Sequence, residues 1–153
     1  MRLKIANLHR AFRLDERFLG LLARDILRRV RVTQREISVV FLTKARMREM
    51  NRQFRHRDAA TDVLSFRLEG GGSRSRASFG DVFISPDAAR ENADAFNSSF
   101  EKEIVLYVIH GILHLAGYDD TRPRERARMR KKEEELLTDL CRARDLSRVS
   151  TRL

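Results

Sequence analysis

The sequence predicts an α/β fold with one small, mixed, mostly parallel four-stranded sheet packed with about five helices. Three observations carry this. Short runs with strand-like alternation are followed by longer runs with helical spacing, and the strand-helix order occurs twice in the first third of the chain. One stretch alone, residues 70–76, is of low complexity, and it is too central and too short to separate two cores. The chain has 153 residues, 42% of them hydrophobic, which is material for one core, so residues 1–153 are expected to form a single domain.

In chain order, residues 3–7 alternate like a short strand, and residues 15–32 place Phe18, Leu21, Leu22, Ile26 and Leu27 on one helical face. Residues 36–42 are β-branched and apolar enough for a buried strand. Thr43 then offers its hydroxyl as an N-cap for a helix carrying Ala45, Met47, Met50 and Phe54. Residues 55–60 are polar and aperiodic, while residues 63–68 alternate like a half-exposed edge or hairpin strand. Glycines and serines at 70–76 fit a mobile hairpin connection to a strand over 79–84. Ser85-Pro86 is a cap followed by proline at the first helical position, opening a helix to about Phe96. Ser99 opens the next helix, which is apolar nearly all round and therefore expected to be buried. Gly117 supplies a left-handed stop, and Thr121 with Pro123 starts a charged helix to about Arg142. After Arg144 apolar residues are few, and the tail is expected to fray.

Composition narrows the function. Lys and Arg total 32 against 22 Asp and Glu, a formal charge of +10, so an acidic partner is expected. Of the cations 27 are arginine and five lysine; the planar guanidinium suits phosphate oxygens, although genomic base composition produces the same bias. No apolar run approaches the length of a membrane span, and the first residues lack the apolar stretch of a signal peptide, so a cytoplasmic protein without membrane association is expected. A single cysteine, Cys141, excludes an internal disulfide and a cysteine-based zinc cluster. Any metal must be held by histidine and carboxylate.

Such a set is present. His110 and His114 lie four residues apart in the most apolar helix, hence on one face, where both imidazoles reach a single ion. Asp120 follows a glycine able to turn the chain back and is the candidate third ligand, with Asp119 as an alternative ligand or an outer acceptor. Two imidazoles and a carboxylate suit Zn²⁺ with a fourth position left for water; Mn²⁺, Ni²⁺ or Fe²⁺ also fit. The competing reading, two satisfied core histidines, must still find partners for both rings in an apolar helix. Gly111 stands where the zinc-protease signature HExxH has its glutamate base, which disfavours that chemistry. Upstream, the run from Asn51 to Asp58 is rich in cations, and Arg55 or Arg57 is placed to bind a phosphate or charge developing on it. For Arg52 and Arg57 a solvated helix end is the simpler account, and the charged run of the last helix, from Arg124 to Lys132 ahead of Glu133, Glu134 and Glu135, reads as a solvated face.

The stretch from His110 to Asp119, taken with Thr61–Phe66, Asn51…Arg55 and Gly80-Asp81, resembles the YbeY family of bacterial rRNA maturation factors over roughly residues 36–141. The resemblance implies one α/β domain and one bound zinc. It further implies a metal-dependent, single-strand-specific endoribonuclease acting in rRNA processing, including 16S rRNA 3′-end maturation, and in ribosome quality control. It makes Arg55 the family's functionally important arginine, and it implies the small ribosomal subunit as partner, with a ribosomal protein or GTPase. Two departures stand out: Asp120 occupies the position where the family usually has a third histidine, and Arg67 one where many members have proline. The segment 70–76 looks like loop variation that adds two cations. The expected roles are His110, His114 and Asp120 on the metal and Arg55 on the scissile phosphate with Arg57 nearby. Proton transfer falls to hydroxide bound at the ion or to the RNA 2′-hydroxyl. The alternative is a ribosome-associated RNA-binding assembly factor with a structural zinc and little hydrolysis.

Overall fold

The computed structural model describes residues 1–69 and 78–151. Strand β1 (Arg2–Asn7) leads to helix α1 (Glu16–Arg29), and β2 (Glu36–Phe41) to α2 (Lys44–Arg55). Strands β3 (Val63–Glu69) and β4 (Ser78–Ile84) are followed by α3 (Pro86–Ala95), α4 (Phe100–Leu115) and α5 (Pro123–Ala143). The sheet order is β1-β2-β4-β3, with β1, β2 and β4 parallel and β3 antiparallel to β4. This is the mixed, mostly parallel sheet that the sequence predicts, with its five helices.

Register decides which face is dry. Ile37, Val39 and Phe41 of β2 pair with Gly80, Val82 and Ile84 of β4, and these positions are buried on one side of the sheet with Ile26 of α1 and Ile104, Ile109 and Ile112 of α4. On the opposite face Leu64 is buried with Met47 of α2 and Leu42, a smaller cluster flanked by Phe66 and Phe83. That face is covered less, and Leu68 and Phe79 remain exposed on it.

The helix starts follow from their caps. Side chains of Asp15, Thr43, Ser85 and Ser99 each accept from a backbone N–H three residues on, satisfying donors that the first turn leaves free. α5 differs from expectation: Arg122 stands at its N-cap without a side-chain bond, because Thr121 bonds to Asp119 instead.

Two further expectations are corrected. The tail does not fray after Arg144. Residues Leu146–Val149 form a 3-10 turn whose Leu146 and Val149 are buried, and Ser150 bridges back to Leu14. Asp25 anchors the approach, accepting from Arg144 Nε at 2.7 Å and from Arg28, so two apolar side chains and an ion pair hold a segment whose average composition is polar. Phe54, expected on the apolar face of α2, is 60% exposed, because α2 ends at the rim of the sheet. The hairpin connection expected at 70–76, with its Arg74 and Arg76, lies outside the described residues. No helix among those described is long and apolar enough to cross a membrane.

Candidate metal centre

α4 lies on the sheet and brings His110 and His114 to its C-terminal end. Gly111 permits the approach: a Cβ there would fall inside the van der Waals envelope of Val82 Cγ1 and stand 3.1 Å from Cγ2 and 3.3 Å from Ser65 Oγ. With no side chain in the way, Ser65 Oγ donates to the Gly111 carbonyl at 3.1 Å. Position 111 therefore faces the sheet, away from the histidines, and a glutamate there would find no room to act as a base.

After α4 the chain turns at Gly117, whose φ of +98° is left-handed and favours a residue without Cβ. This turn carries the Tyr118 carbonyl under His114 Nδ1, which donates to it at 3.0 Å. His110 Nδ1 meets Glu133 Oε1 of α5 at 2.6 Å. A carbonyl and a carboxylate both accept, so these partners assign the proton of each neutral ring to Nδ1. Both Nε2 atoms are left with lone pairs, and they face each other at 3.0 Å. Two acceptors at that separation need a cation or a proton between them.

Asp120 closes the group. Its Oδ2 is 3.7 Å from His110 Nε2 and 3.5 Å from His114 Nε2. A point equidistant from the corners of this triangle lies about 2 Å from each, the length of a Zn–N or Zn–O bond. The donor atoms therefore fit a small divalent cation. The side chains of His110, His114 and Asp120 are 29%, 27% and 44% exposed, so the group opens to solvent on one side. Asp119 lies outside this group, its two oxygens accepting from the backbone N–H and the hydroxyl of Thr121.

The electrostatics separate the two imidazoles. Burial works against a charged His110, but the hydrogen bond and charge of Glu133, with the charges of Asp120 and Asp62, prevail and raise its pKa. Burial lowers that of His114, helped by the neighbouring His110 and by the positive charge of Arg55.

Arg55 sits at the exposed end of α2 and donates through Nη2 to the Ser65 carbonyl on the open edge of β3 at 3.3 Å. One bonded chain thus connects it to the centre, Arg55 to Ser65, Ser65 to Gly111, Gly111 next to His110. Arg57 is exposed beyond the helix end; its backbone N–H bonds to Asn51 O, and its side chain joins no ion pair among the described residues.

Sequence reading missed Glu133, taking it for part of a solvated charge run. A signal existed: Met129, Leu136 and Leu140 form the buried stripe of α5, and Glu133 falls on that stripe at helical spacing. An acid interrupting an apolar stripe calls for a buried partner.

The family model described as Endoribonuclease YbeY matches residues 4–141. Endoribonuclease YbeY of Pelotomaculum thermopropionicum is 38% identical over 141 residues, covering 87% of this chain and 93% of its own. The Bacillus subtilis protein of the same name is 38% identical over 112 residues, covering 68% and 71%. Among solved structures, the solution structure of TM1509 from Thermotoga maritima superimposes with a TM-score of 0.60 at 29% identity, over 95% of each chain.

Proposed function

The chain belongs to the YbeY family of endoribonucleases, and from that premise we propose that it is a zinc-dependent, single-strand-specific endoribonuclease of ribosomal RNA. In this reading it acts in the cytoplasm on 16S rRNA 3′ ends within the small subunit and in ribosome quality control. The observation that carries the metal dependence is the pair of facing Nε2 lone pairs closed by Asp120.

His110, His114 and Asp120 hold the ion, and Mn²⁺, Ni²⁺ or Fe²⁺ suits the same donors. A divalent cation held there supplies Lewis acidity toward a water and a phosphate oxygen. Glu133 and the Tyr118 carbonyl keep both imidazoles in the tautomer that binds metal and stop the rings from rotating. Arg55, its planar guanidinium tethered by Ser65 O, holds the scissile phosphate and offsets the negative charge that grows on it; Arg57 lies further along the same strand of RNA. The attacking oxygen, of a water or of the RNA 2′-hydroxyl, gives up its proton to solvent, since Gly111 supplies no base.

That missing base favours a second reading, an RNA-binding assembly factor with a structural ion. Cleavage of single-stranded rRNA fragments separates the two. Metal-loaded protein cleaves, whereas chelated protein and the Arg55→Ala and His114→Ala variants lose most of the activity. Equal cleavage in all four samples overturns the catalytic reading, and binding without cleavage by the loaded protein favours the second.

A further inference from the structure

We propose that Phe54 is a stacking platform for an unpaired nucleobase beside the scissile phosphate, and so a determinant of single-strand specificity; this rests on the endoribonuclease reading above. Phe54 immediately precedes Arg55 at the rim of the sheet and is 60% exposed, a large apolar ring left in water at the end of a helix whose remaining exposed positions are mainly cationic.

The ring is nonetheless held in place. It packs edge-on against Phe66 of β3 with centroids 5.5 Å apart, and Phe66 packs in the same manner on Phe83 of β4 at 6.0 Å. Arg55 spans the top of Phe66, its guanidinium carbon 5.8 Å from the ring centroid. One side of the Phe54 ring is thus supported by a ladder of aromatics rooted in the sheet, while the ring itself is largely bare.

Charge complementarity selects the occupant. Arg52, Arg55 and Arg57 surround Phe54 in sequence and are exposed, within a protein of formal charge +10. Anionic backbone along the arginines with a base laid on the aromatic ring is how proteins bind single-stranded RNA; bases stacked within a duplex offer no free face to the ring.

The chain has no tryptophan, so Phe54→Trp installs a single reporter. The probes are a 2′-O-methyl oligoribonucleotide, which resists cleavage, the same oligomer carrying abasic positions, and its duplex, each titrated into metal-loaded protein. Indole emission from the Phe54→Trp variant is expected to be quenched by the single strand and unaffected by the abasic oligomer and the duplex. Phe54→Ala should lose roughly 5- to 150-fold in affinity for the single strand, with duplex and abasic binding unchanged, and Phe54→Tyr should restore the affinity. Equal single-strand affinity for wild type and Phe54→Ala, or loss of duplex binding in parallel, overturns the platform while leaving the endoribonuclease reading intact, and assigns the patch to a protein partner. If wild type binds none of the three probes, that reading falls first and the platform with it.

Discussion

Replacing Gly111 by alanine tests whether close packing of α4 sets the geometry of the centre. Carbon atoms in contact sit about 3.5–4.0 Å apart. The added Cβ would be 3.1 Å from Val82 Cγ2 and nearer still to Cγ1. Val82 is fully buried in the central region of the sheet, and a β-branched side chain has few rotamers into which to retreat. The helix must then move off the sheet, which weakens the Ser65–Gly111 hydrogen bond of 3.1 Å. Overpacking of this kind costs about 1–3 kcal/mol, and at roughly 2–4 °C per kcal/mol for a chain of this size the melting temperature should fall by about 2–12 °C. His110 and His114 ride on the displaced helix, whereas Asp120 and Glu133 do not, so metal affinity should fall as well. Calorimetry with and without metal, joined to chelator competition, reads both effects. A melting temperature within about 1 °C of wild type together with unchanged affinity would refute the packing argument. Gly111→Glu, which writes the protease signature into the chain, should fail to fold.

Glu133→Gln leaves the shape of the Glu133 side chain but removes the carboxylate that orients His110, and metal affinity at alkaline pH should drop about 10- to 100-fold; an unchanged dissociation constant would strip Glu133 of its positioning role. The pH dependence carries its own sign. Neutral imidazoles bind metal, and Glu133 raises the pKa of His110, so the apparent metal affinity should begin to weaken, as pH falls, already above the ordinary histidine value of about 6.5. In Glu133→Gln that onset should move to lower pH, and an identical onset in both proteins would contradict the assignment. Arg144→Ala tests the anchored tail. Although burial alone would raise the Asp25 carboxyl, its hydrogen bonds and charge interactions with Arg144 and Arg28 hold it below its ordinary value. A carboxyl lowered in the folded state contributes stability that is present above the unfolded value of about 3.9 and lost as pH falls through the folded one. Arg144→Ala should therefore unfold at a higher pH in an acid titration, by an effect of about 1–2 kcal/mol at neutral pH, and a coincident titration would rule the anchor out.

The parts of this molecule that were legible in the sequence are those fixed by neighbours along the chain. Thr43, Ser85 and Ser99 announce helix starts because a cap acts within three residues. Gly117 announces a turn because its backbone alone tolerates the angle, and His110 and His114 share a face by helical geometry. What remained hidden depends on distant partners. Glu133 meets His110 only because α5 packs back against α4. The tail looked polar because Asp25, far away in sequence, is what gives Arg144 a place to dock. Phe54 fitted the apolar pattern of its helix and reaches Phe66 of β3, yet most of the ring stays in solvent.

The chemistry set out above requires His110, His114 and Asp120 to converge on one divalent ion, and anomalous diffraction from crystals grown with zinc decides whether they do. A single strong peak per chain is expected, at bonding distance from both Nε2 atoms and Asp120 Oδ2 and absent from Asp120→Ala crystals. A peak elsewhere, or density between the imidazoles that leaves Asp120 turned away, would contradict the assignment.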